Sequence, residues 1–154
     1  MSLRDFSSAP AAAPTWSVSR DQLLQTCERK YYFQYLAGGR LNGDTPRQRQ
    51  IGLLKKLKSI PMWLGDCFHQ GVAEYLSALR DGVVPGRDAA LQGLRQRINR
   101  DWQFSALARY KTQPYLIDKA GVALLEHHYQ QMPAGMNAAT AYARAETWMT
   151  QFLT

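Results

Sequence analysis

The sequence predicts a mainly helical chain, and three observations lead there. Leu64, Phe68, Val72, Tyr75 and Leu79 recur at intervals of three and four residues between Met62 and Arg80, which draws an apolar stripe down one face of a helix. Helix-breaking residues divide the chain into stretches of helical length: Gly38-Gly39, Pro61, Asp81-Gly82, Pro85-Gly86, Pro114 and Pro133-Ala134-Gly135. No run shows strand alternation bounded by turns, and no internal repeat is visible.

Taken in order, Met1 to Pro14 is rich in Ser, Ala and Pro without an apolar run, so residues 1–15 read as a flexible leader and not as a signal peptide. Residues 16–154 read as one folded portion. Ser19-Arg20-Asp21-Gln22 has the form of a capping box and predicts a helix over 19–37, with Leu23, Leu24, Cys27, Tyr31 and Tyr35 on its apolar face and Gly38-Gly39 as its stop. Arg40 to Gln50 carries loop chemistry with a positive surface. Ile51 to Ile60 sets leucines against Lys55, Lys56 and Lys58, the pattern of a short solvated surface helix. Pro61 opens the next helix, which runs from Met62 to Arg80. Further helices are expected over 87–110, 114–131 and from Asn137 onward. The last one carries Tyr142, Trp148, Phe152 and Leu153 and reaches Thr154 with no cap or polar tail. That ending reads as a cut through a longer domain, with an exposed apolar face that would favour self-association.

Composition narrows the partners. Lys and Arg number 19 against 12 Asp and Glu, a formal charge of +7 that favours polyanions such as nucleic acid. The two cysteines, Cys27 and Cys67, have no CxxC spacing, which supports neither a disulfide framework nor a zinc site and implies a reducing, cytoplasmic setting. No window approaches the ~20 consecutive apolar residues of a membrane span. Ile51 to Ile60 offers too little apolar area for a membrane-surface helix.

Two motifs carry the chemistry. The first is the stretch from Trp16 to Leu36, where Ser17 and Ser19 precede Cys27, Lys30-Tyr31, Phe33 and Tyr35. The second is Gly65-Asp66-Cys67-Phe68-His69-Gln70-Gly71-Val72, followed by Tyr75. In this order and at this distance they resemble the opening helices of RecB-like PD-(D/E)XK nucleases, the branch that includes CRISPR-associated exonucleases. Glu28 departs from the pattern, which usually has proline there.

The resemblance implies the helical N-terminal part of an α/β, restriction-endonuclease-like fold whose central sheet would lie downstream. It implies a parent enzyme that hydrolyses DNA phosphodiesters with Mg²⁺ or Mn²⁺ and works in repair, recombination or defence, with a helicase or repair protein as a possible partner. Its metal-side histidine falls on His69, because neutral imidazole can join carboxylates around such an ion. Taken without the resemblance, His69 is a histidine on a helix flank. The family's metal-binding Asp and E-x-K pair have no counterpart before Thr154, so the chain alone is not expected to cut DNA.

Cys27 matches the first ligand of the iron–sulfur subset of these enzymes, but three of four ligands would be missing, and a buried cysteine beside Leu24 and Tyr31 is the preferred reading. Arg29 and Lys30 are the candidates for DNA backbone contact, with Tyr31 and Tyr35 turned inward. Arg95, Arg97, Arg100 and Arg109 read first as a solvated helix face, and Glu126-His127-His128 as packing, because adjacent helical histidines diverge by about 100°. The competing reading of the whole is a basic helical module that binds nucleic acid or a partner protein without catalysis.

Overall fold

A computed structural model describes residues 16–37 and 45–154, which belong to two separate compact units. The expected leader and residues 40–44 of the expected loop lie outside the described residues.

The first unit corrects the single helix expected over 19–37. Helix α1 spans Val18–Thr26, and its cap is Ser17, whose Oγ accepts the Arg20 amide at 3.3 Å. Ser19 already lies inside the helix, so the Ser19–Gln22 box does not form the cap. Cys27 is extended (φ −162°) and breaks the run, and α2 (Glu28–Tyr31) starts afresh from it. A π-helical turn, Tyr32–Leu36, follows. The Cys27 thiol holds the new start by accepting the Lys30 amide at 3.4 Å.

In the second unit, α3 spans Pro46–Lys56. Thr45 and Gln48 form a reciprocal capping box and Pro46 occupies the first turn, so helix begins inside the stretch expected as loop through Gln50. Leu57 to Ser59 is not helical, which shortens the helix expected to reach Ile60. There Lys58 pairs with Leu124 in an isolated parallel bridge. Its amide donates to Ala123 O at 3.0 Å, and its carbonyl accepts from the Leu125 amide at 2.9 Å.

Three long helices form the main core: α4 (Ile60–Arg80), α5 (Arg87–Ala106) and α8 (Ala138–Phe152). Trp63, Leu64 and Cys67 of α4 meet Leu94 and Ile98 of α5 and Ala141, Ala145 and Met149 of α8. The four-residue spacing of the buried α8 positions puts small residues on one stripe, which allows close helix approach. Asn137 and Thr140 cap α8 reciprocally.

A second, smaller core gathers Phe104, Tyr110, Ile117 and Ala123, with Leu53 of α3 and Leu57 just after it packed against it. Here the helix expected over 114–131 does not form. Instead α6 (Arg109–Thr112) leads into a 3₁₀ turn, Pro114–Leu116. Asp118 then takes a left-handed conformation (φ 67°) and its amide bonds Gly121 O at 2.9 Å, so the carboxylate expected on a helix stands on a tight turn. Helix returns only at α7 (Leu125–Tyr129).

Gly121 is required where it stands, because a Cβ there would lie 2.5 Å from Phe104 Cβ. Gly121→Ala is expected to cost about 1–3 kcal/mol through overpacking. Gly93→Ala, on α5 with open space around its Cβ, should instead stabilise by about 1 kcal/mol. Paired thermal melts check both signs, and a neutral Gly121→Ala would show that the turn can retreat from Phe104.

Candidate functional site

The polar groups of the second unit converge beside the N-terminal half of α4. Trp63 is fully buried, and its indole Nε1 donates to Asp101 Oδ2 at 3.1 Å. Asp101 is 3% exposed, and its other oxygen accepts from Arg100 Nε and Nη2 at 3.0 and 2.9 Å. One helical turn from Trp63, Asp66 accepts from Lys58 Nζ at 2.7 Å. The Asp66 hydrogen bond is the main cause holding the Lys58 ammonium above its ordinary pKa, opposed by partial burial. Lys56 Nζ meets Asp118 at 2.7 Å, also in this region. A cleft of about 100 Å³ lies among Lys58, Asp66, Gln70, Asp101 and Lys119.

His69 is exposed on α4, three residues beyond Asp66. That spacing makes the two side chains neighbours on the helix surface, with Cβ atoms about 5–6 Å apart. Imidazole and carboxylate there amount to part of a cation's donor set. Among the described residues, no group of three or more His, Cys, Asp or Glu side chains is arranged to hold a metal ion. Cys67, one turn from Trp63, has its thiol pushed up to about 12, first by burial and then by the Asp101 charge, so it stays protonated and packs.

In the first unit, Arg29 and Lys30 are exposed on α2, as expected, with the Arg29 guanidinium 6.0 Å from the Phe33 ring. Tyr31 and Tyr35 are half-buried, their rings 5.2 Å apart. Cys27 corrects the buried reading: it is exposed, because the chain breaks at it.

The arginines of α5 are not a plain solvated face. Arg97 is largely buried, paired with Glu74, and donates to Cys67 O at 3.5 Å. Arg100 serves Asp101, and the Arg95 guanidinium lies 4.9 Å from the Tyr142 ring.

Glu126-His127-His128 also has structural partners. Glu126 Oε1 accepts the Ile60 amide at 2.9 Å and so caps α4 from 66 residues away. The Leu124 amide donates to Ser105 Oγ at 2.8 Å, and the same hydroxyl shares a hydrogen bond with His127 Nδ1, 2.9 Å away. Trp102 meets the edge of the same imidazole at 4.7 Å between centroids. Burial holds His127 below the ordinary histidine pKa, with the Glu126 charge acting against it. His128 is lowered by burial and then by Lys111. No sequence signal links Trp63 to Asp101, or Ser105 to His127. Each pair joins two elements that only the tertiary fold brings together.

Both histidines bind protons less readily in the folded chain than in the unfolded one, where the pKa is about 6.5. Their contribution to stability is therefore complete above that value and declines as the pH falls through it. The urea midpoint should drop between pH 7 and pH 5, and drop less in His127→Gln. Ser105→Ala should cost about 1–3 kcal/mol at any pH by stranding the buried Leu124 amide. A midpoint that is flat with pH in the parent chain would contradict the assignment.

A family model described as the PD-(D/E)XK nuclease superfamily matches residues 15–150. No curated protein matches the chain. No solved structure matches it either.

Proposed function

This chain belongs to the PD-(D/E)XK nuclease superfamily, and on that premise we propose that it is the helical part of a divalent-metal-dependent DNA nuclease of the RecB-like branch. His69 stands at the metal side of the reaction centre. The observation that carries this reading is the exposure of His69 beside Asp66 on a helix whose opposite face is anchored in the core. Neutral imidazole and carboxylate suit Mn²⁺, and a carboxylate-rich set suits Mg²⁺. The carboxylates and lysine that complete the clamp come from outside these residues, so these 154 residues alone do not cut.

A divalent ion held by His69 and Asp66 together with further acids would supply polarisation of the scissile phosphate and activation of water. What this chain contributes is position. The Glu126 cap and the Trp63–Asp101 bond fix the first turns of α4, and with them the direction in which His69 projects. Arg29 and Lys30 hold DNA backbone in this reading. Cys27, exposed and free, is the one residue here that an iron–sulfur cluster could use, as the first of four ligands. The setting is cytoplasmic, and a helicase or repair protein is the partner class. Among the described residues no helix is long and apolar enough to cross a membrane.

A formal charge of +7 favours a second reading, a module that binds nucleic acid without cleavage. The two separate on metal binding. Under the nuclease reading, titrating Mn²⁺ into the chain broadens the NMR signals of the His69 imidazole before those of His127 and His128, and Asp66→Asn weakens the effect several-fold. In the full natural gene product, His69→Ala lowers metal-dependent cleavage at least 100-fold and leaves DNA affinity within about twofold. Equal broadening of all three histidines, or cleavage indifferent to His69→Ala, would remove His69 from the mechanism.

A further inference from the structure

The charge of the chain is not spread over it. Of 19 basic and 12 acidic residues, segments 45–60 and 107–125 hold eight and one, and the rest of the chain holds eleven of each. The net +7 therefore resides in two segments separated by 46 residues of sequence.

The fold brings those segments together. Leu53 of α3 and Leu57 just after it pack on the second core, which Tyr110 of α6 and Ile117 after the 3₁₀ turn help to build. The bridge between Lys58 and Leu124 ties their ends. Arg47, Lys56, Arg109, Lys111 and Lys119, carried by these segments, are all exposed. The only acid in the two segments, Asp118, is already paired with Lys56. Arg47, Arg109, Lys111 and Lys119 have no carboxylate partner among the described residues. Tyr115 stands between them in sequence, 54% exposed on the 3₁₀ turn.

We infer that the outer surface of the second core, formed by α3, α6 and the 114–119 turn, is a docking surface for the phosphodiester backbone of DNA, with Tyr115 placed to stack on an unpaired base. The partner follows from the chemistry. A set of exposed cations on two joined segments with one acid, itself neutralised, matches a regularly charged polyanion and releases its counterions on binding. An exposed aromatic ring on the same segment as Lys111 and Lys119 matches a base face. Acidic protein surfaces offer carboxylates but no repeating charge or planar face to match. The surface differs from Arg29 and Lys30 of the first unit. It deepens the nuclease reading by naming where that enzyme grips its substrate, and it rests on that reading for the choice of nucleic acid.

The test is fluorescence anisotropy of the full chain with a labelled 20-nucleotide DNA, single-stranded and duplex, across a salt series. The quadruple variant Arg47→Gln, Arg109→Gln, Lys111→Gln, Lys119→Gln should bind at least tenfold more weakly at 100 mM salt. Its slope of log K against log salt on duplex should become shallower by about 2–4, since each lost phosphate contact is worth about 0.9. A control with the same charge change on the helical bundle, Arg80→Gln, Arg87→Gln, Arg95→Gln, Arg144→Gln, should stay within threefold. Tyr115→Ala should weaken single-strand binding roughly tenfold and duplex binding little.

Equal losses in the two quadruple variants would overturn the inference, as would no binding by the parent chain at 50 mM salt or tighter binding to anionic phospholipid vesicles than to DNA. A loss confined to Arg29→Gln, Lys30→Gln would also overturn it while leaving the nuclease reading intact. Conversely, patch-dependent binding without Mn²⁺ broadening at His69 would sink the nuclease reading and keep the surface. Should the quadruple variant fail to fold, acetylation footprinting of the parent chain decides: DNA must protect Lys111 and Lys119 more than Lys30, and equal or lesser protection overturns the assignment.

Discussion

The second unit depends on the pairing of Lys58 with Leu124. Two backbone hydrogen bonds join Lys58, two residues before α4, to Ala123 and Leu125, the residues on either side of Leu124, and Leu124 itself is fully buried. Once that register is set, Glu126 falls two residues later, where its carboxylate meets the Ile60 amide, so the end of one segment caps the start of another. Ser105 on α5 holds the same residue through the Leu124 amide. A single stretch of extended chain thus connects α3, α4, α5 and α7. The side chains it strands or satisfies are those whose loss would be felt most, because a buried amide without a partner costs about as much as several ordinary contacts contribute.

That dependence explains what could be read from the sequence and what could not. The helices α4, α5 and α8 were legible because their signals are local: Pro61 at a first turn, Asp81-Gly82 at an end, apolar residues every third or fourth position. The composition of 114–131 is compatible with a helix that does not form. What forbids it is distant. Gly121 is pressed on Phe104, and the amides of Leu124 and Leu125 bond Ser105 and Lys58 in place of helical carbonyls. The Thr45-Gln48 box, by contrast, is a local signal, outweighed in composition by the Asn, Gly, Asp and Pro residues around it. At the site, Gly65 to His69 could be found by motif, whereas Asp101 could not, since nothing in its neighbourhood announces a tryptophan 38 residues earlier.

Asp101 also shows why a buried charge is kept here. An indole N–H taken into a core needs an acceptor, and Trp63 is wholly enclosed. The carboxylate supplies it, and Arg100, more than half exposed, neutralises the carboxylate from the solvent side. The pair is therefore weak as a source of stability and strong as a specifier: it permits one orientation of Trp63 and of the α4 turn that carries it. Removing Asp101 would strand a buried donor and leave Arg100 to the solvent, while removing Arg100 would leave a buried carboxylate with only the indole N–H to hold it.

The same accounting bears on where a metal could be held. Of the eight carboxylates in residues 45–154, seven accept a hydrogen bond that the fold uses: Asp66 from Lys58, Glu74 from Arg97, Asp81 from Arg80, Asp101 from Trp63 and Arg100, Asp118 from Lys56, Glu126 from the Ile60 amide and Glu146 from Tyr142. The eighth, Asp88, lies in the first turn of α5, 19 residues beyond His69. A divalent ion recruiting Asp101 or Glu126 would have to break the bonds that position α4, and so would loosen the helix bearing His69 in the act of binding it. Asp66 is different, because its partner Lys58 is a flexible side chain that can turn to solvent. The carboxylate that a cation beside His69 can take without cost to the fold is thus the one that helical spacing already places next to it, and any further acids must reach α4 from its solvent side.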